Sequence, residues 1–306
     1  MVTSKNAGLA VPDWPTTFGY NMFLFPASKW VGGILFEHTH RLIASTVGLL
    51  TVLLAFSLWR VERRRWVRNL GFVAVGAVIL QGVLGGLRVT LLEAQIGIFH
   101  ACLAQAFFGL LVFIALVTSR FWSRGAGDAA LRRAAIITTA LIYFQLVLGA
   151  AMRHQHRDLS ITDFPTAYGR WLPDTSAAAI ARINAARDAI GLSDVSAGQI
   201  WLQMVHRFGA VLVAVGAATF FALAHRAPDA ALRKLSIAWL FGIAVQISLG
   251  AWTIWSNKAA DIATAHVAVG ATMFAIGVIA CALSWYSGRT AWVPRANKIP
   301  AHSVVG

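Results

Sequence analysis

Four histidines fall inside long apolar stretches of the chain: His40, His100, His206 and His266. An ionisable side chain in such a stretch is costly and marks function. Each lies five or six residues from the same end of its stretch, which at about 1.5 Å per helical residue places all four roughly 8–9 Å deep. Facing neutral imidazoles are the usual means by which a helical bundle holds haem iron. Zinc would require three or four protein ligands, and no Cys, Asp or further His stands ready to complete a set. A lone intramembrane His is often a packing residue; four at related positions point to iron.

The elements that must carry them are membrane helices. The 306 residues are 58% hydrophobic and 12% charged, about half the charge of an ordinary soluble domain, and mean hydropathy is +0.67. Seven apolar blocks, 34–59, 67–90, 95–121, 133–152, 200–224, 233–255 and 261–285, reach the roughly 20 residues needed to cross a bilayer. Helix is the expected state, since open strands leave backbone unsatisfied in lipid. The net charge of +14 does not indicate nucleic acid, because the basic residues cluster in connectors. Arg60, Arg63, Arg64, Arg65 and Arg68, then Arg120, Arg124, Arg132 and Arg133, then Arg226, Arg233 and Lys234, then Arg289, Arg295 and Lys298 lie on one side. That side is expected to be cytoplasmic, with the C-terminus there, in the cell inner membrane. The N-terminal segment, the 88–95 and 256–261 connectors and the long 153–199 segment are then outside. Trp59, Trp66, Trp122, Trp255, Trp285 and Trp292 sit near span ends as interfacial anchors do. Cys102 and Cys281 lie within apolar blocks without a CxxC or CxxCH pattern and read as packing residues.

The two halves of the sequence resemble one another. Asp13-Trp14-Pro15-Thr16-Thr17-Phe18-Gly19 matches Asp163-Phe164-Pro165-Thr166-Ala167-Tyr168-Gly169, His40-Arg41 matches His206-Arg207, Gln81-x-x-x-Gly85 matches Gln246-x-x-x-Gly250, and His100 matches His266. The offset changes from 150 to 166, so the second copy carries an insertion. Within it, Asp174-Thr175-Ser176 offers N-caps, Ile180, Ile183 and Ile190 recur at near-helical spacing and Gly191 supplies a stop. The expectation is a short amphipathic helix on the outer membrane surface. The fold class that follows is all-α integral membrane, with two pseudo-symmetric four-helix bundles from an internal repeat. An N-terminal half at 1–125 precedes a C-terminal half at 126–306 that includes the 153–199 segment. The span 133–152 has no counterpart in the first half, so the repeat predicts a helix ahead of the first span.

The halves differ beside their histidines. Glu37 precedes His40 by three residues and shares its helix face, whereas Gln203 precedes His206. A carboxylate at this depth is a candidate proton carrier, and its alternative is a Glu37–Arg41 pair. Arg41 and Arg207, each following a candidate ligand, are candidates to reach haem propionates. His38 projects about 200° away from His40, and His154, His156, His225 and His302 are read as connector or tail residues.

Val2-Thr3, Gly8-Leu9-Ala10-Val11-Pro12-Asp13-Trp14-Pro15, Glu37-His38-Thr39-His40-Arg41, Gln81-Gly82-Val83-Leu84-Gly85-Gly86, His100-Ala101, Val205-His206-Arg207 and Ala265-His266, in order along nearly the whole chain, resemble the haem A synthase family. The resemblance implies eight helices and oxidation of the C8 methyl of haem O to a formyl group by successive hydroxylations through a hydroxymethyl intermediate. It implies that His40 and His100 ligate the substrate haem, that His206 and His266 ligate a haem b, and that Glu37 is the essential glutamate. As partners it implies the lipid bilayer, haem O, the enzyme that makes haem O, and an electron acceptor; a homo-oligomer is compatible with it. The chain departs from members that carry a loop cysteine pair, having Val11 and Thr16-Thr17 there. Two other readings compete: a non-enzymatic dihaem electron carrier of b type, and a transporter with rocking halves, for which broken helices and charged midplane residues are lacking.

Overall fold

The computed structural model describes residues 10–119, 122, 129–155 and 159–285. Arg120, Arg124, His156, Arg289, Arg295, Lys298 and His302 lie outside the described residues, as do the motif positions before Ala10 and the C-terminus. Among the described residues eight α-helices follow a loop with two single 3₁₀ turns: α1 Gly32–Val61, α2 Arg65–Leu91, α3 Ala94–Val117, α4 Ala129–Gln155, α5 Ala177–Asp188, α6 Ala197–Ala224, α7 Ala230–Trp255 and α8 Ala260–Trp285. All but α5 are long and apolar enough to cross a membrane. The chain is an all-helical, multi-pass membrane protein.

Most spans run a few residues past the apolar blocks, because a helix can continue into polar surroundings where its end groups are satisfied. Ser196 and Gln199 form a reciprocal capping box at the start of α6, and the Asp229 side chain accepts the Ala231 N–H at the start of α7. In contrast, α3 stops short of the expected 121. Thr118 N–H bonds back to Ile114 O, and Ser119 Oγ donates to Leu116 O, which closes the last turn. At the tight α1–α2 connection Glu62 accepts the Arg64 guanidinium at 2.7 Å. Those Arg64 hydrogen bonds hold the Glu62 carboxyl down at about 2.

Helices α4, α6, α7 and α8 close a ring: α4 packs on α6, α6 on α7, α7 on α8 and α8 on α4. Its core contains Ile142, Val213, Phe220, Trp239, Met273 and Phe274, with Trp239 Nε1 donating to Met273 O at 3.0 Å. Small residues permit the close approach. A Cβ on Gly216 would meet Thr138 Oγ1 at 2.5 Å. Helices α1, α2 and α3 form a three-membered row around Leu58, Val67, Ala74, Phe107 and Ile114. The row joins the ring through α3, which packs on α4 and α8. Along α1, large apolar side chains such as Ile43 and Leu50 are more than half exposed, which suits lipid as neighbour.

The insertion forms the expected helix, but its packing differs. Ser176 Oγ accepts the Ala179 N–H at 3.3 Å and starts α5, and Gly191, at φ +72°, lies just past its end. Ile183 faces a cluster of Ile161, Ala167, Val195, Ile200 and Met204, while Ile190 lies beyond the helix and is exposed. Arg187, buried on the inward face, donates to Ser193 O and Leu159 O. The face expected to meet lipid is turned onto the chain's own loops instead, because those loops offer both apolar contacts and carbonyl acceptors.

Candidate haem-binding site

Two pairs of imidazoles meet across helices. The ring centres of His40 on α1 and His100 on α3 stand 6.5 Å apart, with planes inclined at 81°. Those of His206 on α6 and His266 on α8 stand 6.5 Å apart at 65°. A metal–imidazole bond of about 2 Å, plus roughly 1.1 Å from ring nitrogen to ring centre, puts two trans imidazole centres about 6.3 Å apart. A tetrahedral metal would bring them to about 5 Å by the same arithmetic. No group of three or more His, Cys, Asp or Glu able to hold a metal occurs among the described residues. The donor set therefore fits an iron that brings its own four equatorial nitrogens, and it does not fit a protein-only zinc site. His40 and His206 lie eight and nine residues inside their helix starts, and His100 and His266 six. The first two are thus deeper along their helices than the sequence suggests, since α1 and α6 begin earlier than their apolar blocks.

Glycines set the imidazoles in place. A Cβ on Gly85 would lie 3.2 Å from His100 Cε1, on Gly250 3.1 Å from His266 Cε1, and on Gly149 3.5 Å from His206 Cε1. Each glycine follows a glutamine by four residues. Gln81 Nε2 donates to His100 O at 2.9 Å, and Gln145 Nε2 donates to His206 O. The Gln145-x-x-x-Gly149 copy on α4 escaped the sequence reading, although its spacing equals that of the other two. The Nδ1 atoms of His100, His206 and His266 are buried and make no hydrogen bond of ordinary geometry.

Above each pair a loop is tied to the helix that carries the first histidine. Asp13 accepts the Thr16 hydroxyl and the N–H groups of Phe18 and Gly19; Asp163 accepts the Thr166 hydroxyl and the N–H groups of Tyr168 and Gly169. Partial burial works against ionisation of both carboxyls. The hydrogen bonds from Gly19, Thr16 and Phe18, and from Gly169, Thr166 and Tyr168, outweigh it and hold both below the ordinary 3.8. Both loops turn through positive φ, at Phe18 (+50°) and Gly19 (+75°) and at Tyr168 (+54°) and Gly169 (+75°). The Trp14 ring fills the space beside Gly86 on α2 and leaves no room for a Cβ.

Arg41 and Arg207 do this tethering. Arg41 donates to Asp13 O at 2.7 Å, Thr16 O at 3.0 Å and Val11 O at 3.0 Å. Arg207 donates to Asp163 O at 2.7 Å and Thr166 O at 2.8 Å. Both guanidinium groups, the candidates for propionate contact, bind loop carbonyls in this structure, and Arg207 Nε is buried without a hydrogen-bond partner. Glu37, 3% exposed, accepts the Val11 N–H at 3.0 Å and Arg41 Nη2 at 2.9 Å. Gln203 accepts the Ile161 N–H at 2.8 Å and donates to Ile161 O at 3.1 Å. His38 is fully buried between Phe25 and Trp30, away from its neighbour His40. His154, read as a connector residue, belongs to the last turn of α4. A cavity of about 380 Å³ beneath α5, lined by Arg170, Arg182 and Arg187 among others, touches none of the four histidines.

With this geometry in view, the family comparison is decisive: the model of the COX15-CtaA family, described as cytochrome oxidase assembly protein, matches residues 1–278. The chain belongs to the COX15-CtaA family. Among its relatives, the protein named heme A synthase of Shouchella clausii is 27% identical over 223 residues, 70% of this chain and 66% of that protein. The heme A synthase of Paracoccus denitrificans is 27% identical over 256 residues, 78% of this chain and 64% of the relative. That of Shewanella oneidensis is 24% identical over 289 residues, 86% and 84%. The chain spans about two thirds of the length of the first two. No solved structure matches.

Proposed function

We propose that this COX15-CtaA member is a haem A synthase that oxidises the C8 methyl of haem O to a formyl group through a hydroxymethyl intermediate. The observation that carries the proposal is a pair of equal imidazole couples, each at 6.5 Å, that differ in one neighbouring side chain. Glu37 stands beside the first and Gln203 beside the second. In this reading the chain is a duplicated unit, with residues 1–125 holding the substrate and residues 126–306 holding a resident haem b. His40 and His100 bind the haem O iron, and His206 and His266 bind that of haem b. When bound, haem b supplies one-electron chemistry that no side chain here can supply. Glu37 is the acid beside the substrate half and the group assigned to proton transfer. Its carboxylate must separate from Arg41 to take a proton, so loop and proton are coupled. The proposed setting is the cell inner membrane, with the loops and histidines near the outer face and the basic connectors inside. Its partners are the haem O-producing enzyme and an electron acceptor.

One observation favours a second reading, a non-enzymatic dihaem electron carrier: both Glu37 oxygens are engaged in anchoring, as a purely structural residue would be. Co-expression with a haem O-producing enzyme, followed by pigment extraction, separates the two. A synthase yields formyl-bearing haem; a carrier returns its haems unmodified.

A further inference from the structure

Where α2, α3 and α4 meet at the loop end of the bundle, an imidazole and a guanidinium converge on Gly97. A Cβ there would stand 2.8 Å from His154 Nδ1 and 3.0 Å from Arg88 Nε. Gly97 is buried in the first turns of α3, so the missing side chain makes space for these two groups. Among the described residues Arg88 has no hydrogen-bond or ion-pair partner, since the ion pairs present are Arg41–Glu37 and Arg64–Glu62. A half-buried guanidinium without an anion is costly. On the orientation proposed above, it also stands on the side of the membrane that carries few basic residues. The positive end of α3, whose N-cap Glu93 makes no side-chain hydrogen bond to the first turn, adds to the local potential instead of offsetting it.

Arg88 is tied by position to the first imidazole pair. It follows Gly85, which lies against His100, by three residues on the same face of α2. Its charge acts on His40, His100 and Glu37. We propose that Arg88, with His154, is the carboxylate anchor for a porphyrin held by His40 and His100, receiving a propionate at the loop end of the α2–α3–α4 junction. Guanidinium matches carboxylate in shape and offers paired donors. This proposal rests on the haem reading above and places the propionate partner on α2, apart from Arg41 and the loop carbonyls it binds. It also restricts which substituent can react: the C8 methyl of haem O shares its pyrrole ring with one of the two propionates, so a propionate held at Arg88 limits the methyl to two placements in the site. Arg88 is thus a positioning residue.

The test is a titration of the solubilised chain carrying His206→Ala and His266→Ala, so that the first pair alone binds. The probes are ferric protoporphyrin IX and its dimethyl ester, followed by the bis-imidazole absorption spectrum. The free acid should bind at least about tenfold tighter than the ester, the scale of one charge-assisted hydrogen bond. Arg88→Gln should bring the two porphyrins within about twofold of each other with the bis-imidazole spectrum kept, whereas Arg88→Lys should retain part of the preference. If the double histidine variant does not fold, the same comparison in the unsubstituted chain should show Arg88→Gln abolishing the preference for one of two porphyrin equivalents. Equal binding of acid and ester with Arg88 present, or a preference unchanged in Arg88→Gln, overturns the anchor while leaving the histidine ligation standing. Absence of any bis-imidazole spectrum overturns the ligation itself, and the anchor with it.

Discussion

Glu37 and Gln203 hold their loops in the same way: each accepts the backbone N–H of one loop residue, Val11 at 3.0 Å and Ile161 at 2.8 Å. They differ in charge and in what else they bind. Gln203 also donates to the Ile161 carbonyl, and in the other loop Arg41 donates to the Val11 carbonyl. Glu37→Gln therefore reproduces an anchor already present elsewhere in the chain. This variant should fold and bind haem normally, yet lose conversion of haem O by about two orders of magnitude or more. Haem content by absorbance and product by extraction are read on the same preparation; normal conversion would remove the proton-transfer role.

Arg207 ties the second loop through the carbonyls of Asp163 and Thr166. Arg207→Ala should leave those oxygens unsatisfied and destabilise the loop by roughly 1–3 kcal/mol. Hydrogen exchange over residues 159–170 should quicken while the α7–α8 core stays protected. Exchange unchanged in that loop would show that the tether is dispensable.

The loops should also loosen in acid. Asp13 and Asp163 have folded-state values below the ordinary 3.8, so each folded loop binds fewer protons than the unfolded one. Their contribution is complete above the ordinary value and is lost as pH falls through the lowered one. Protease nicking of both loops should rise steeply below about pH 4, and Asp163→Asn should flatten that step for the second loop alone. A step that survives the substitution there would assign it to another group.

Glycine substitutions should dissect the two sites. A Cβ on Gly250 would stand 3.1 Å from His266, and on Gly85 3.2 Å from His100. Contacts this short force the imidazole aside, and a porphyrin needs its axial ligands within a few tenths of an ångström. Gly250→Val should lower haem content in the second site, and Gly85→Val in the first, each leaving the other at its normal level. Loss of both haems from either substitution would mean a general packing defect.

How much of this was readable beforehand depends on the residue. The spans stand out because lipid demands long unbroken apolar runs, and the four histidines stand out because lipid penalises them. Their grouping as two per half follows from their repeat-related positions in the sequence. Gln145 was legible too, since it repeats the spacing of Gln81 and Gln246. The arginines were not. Arg41 follows a candidate ligand, and sequence distance suggests a haem partner. Its pair with Glu37, four residues back, was readable from spacing and is present; its other partners are carbonyls 25 to 30 residues away, and such oxygens leave no mark in residue type. Nothing in the residue pattern singles out Arg88, because its lack of a partner is a property of three helices meeting at Gly97. Ile190 followed helical spacing, but the helix ends before it.

The central claim is that two imidazole pairs each grip one iron porphyrin. The most direct measurement is the optical and electron paramagnetic resonance spectrum of the purified, haem-loaded chain, compared with the His100→Ala and His266→Ala variants. The account predicts two low-spin, six-coordinate haems per chain, with each variant losing the low-spin signal of its own site and keeping the other. High-spin iron throughout, or low-spin signals indifferent to both substitutions, would contradict it.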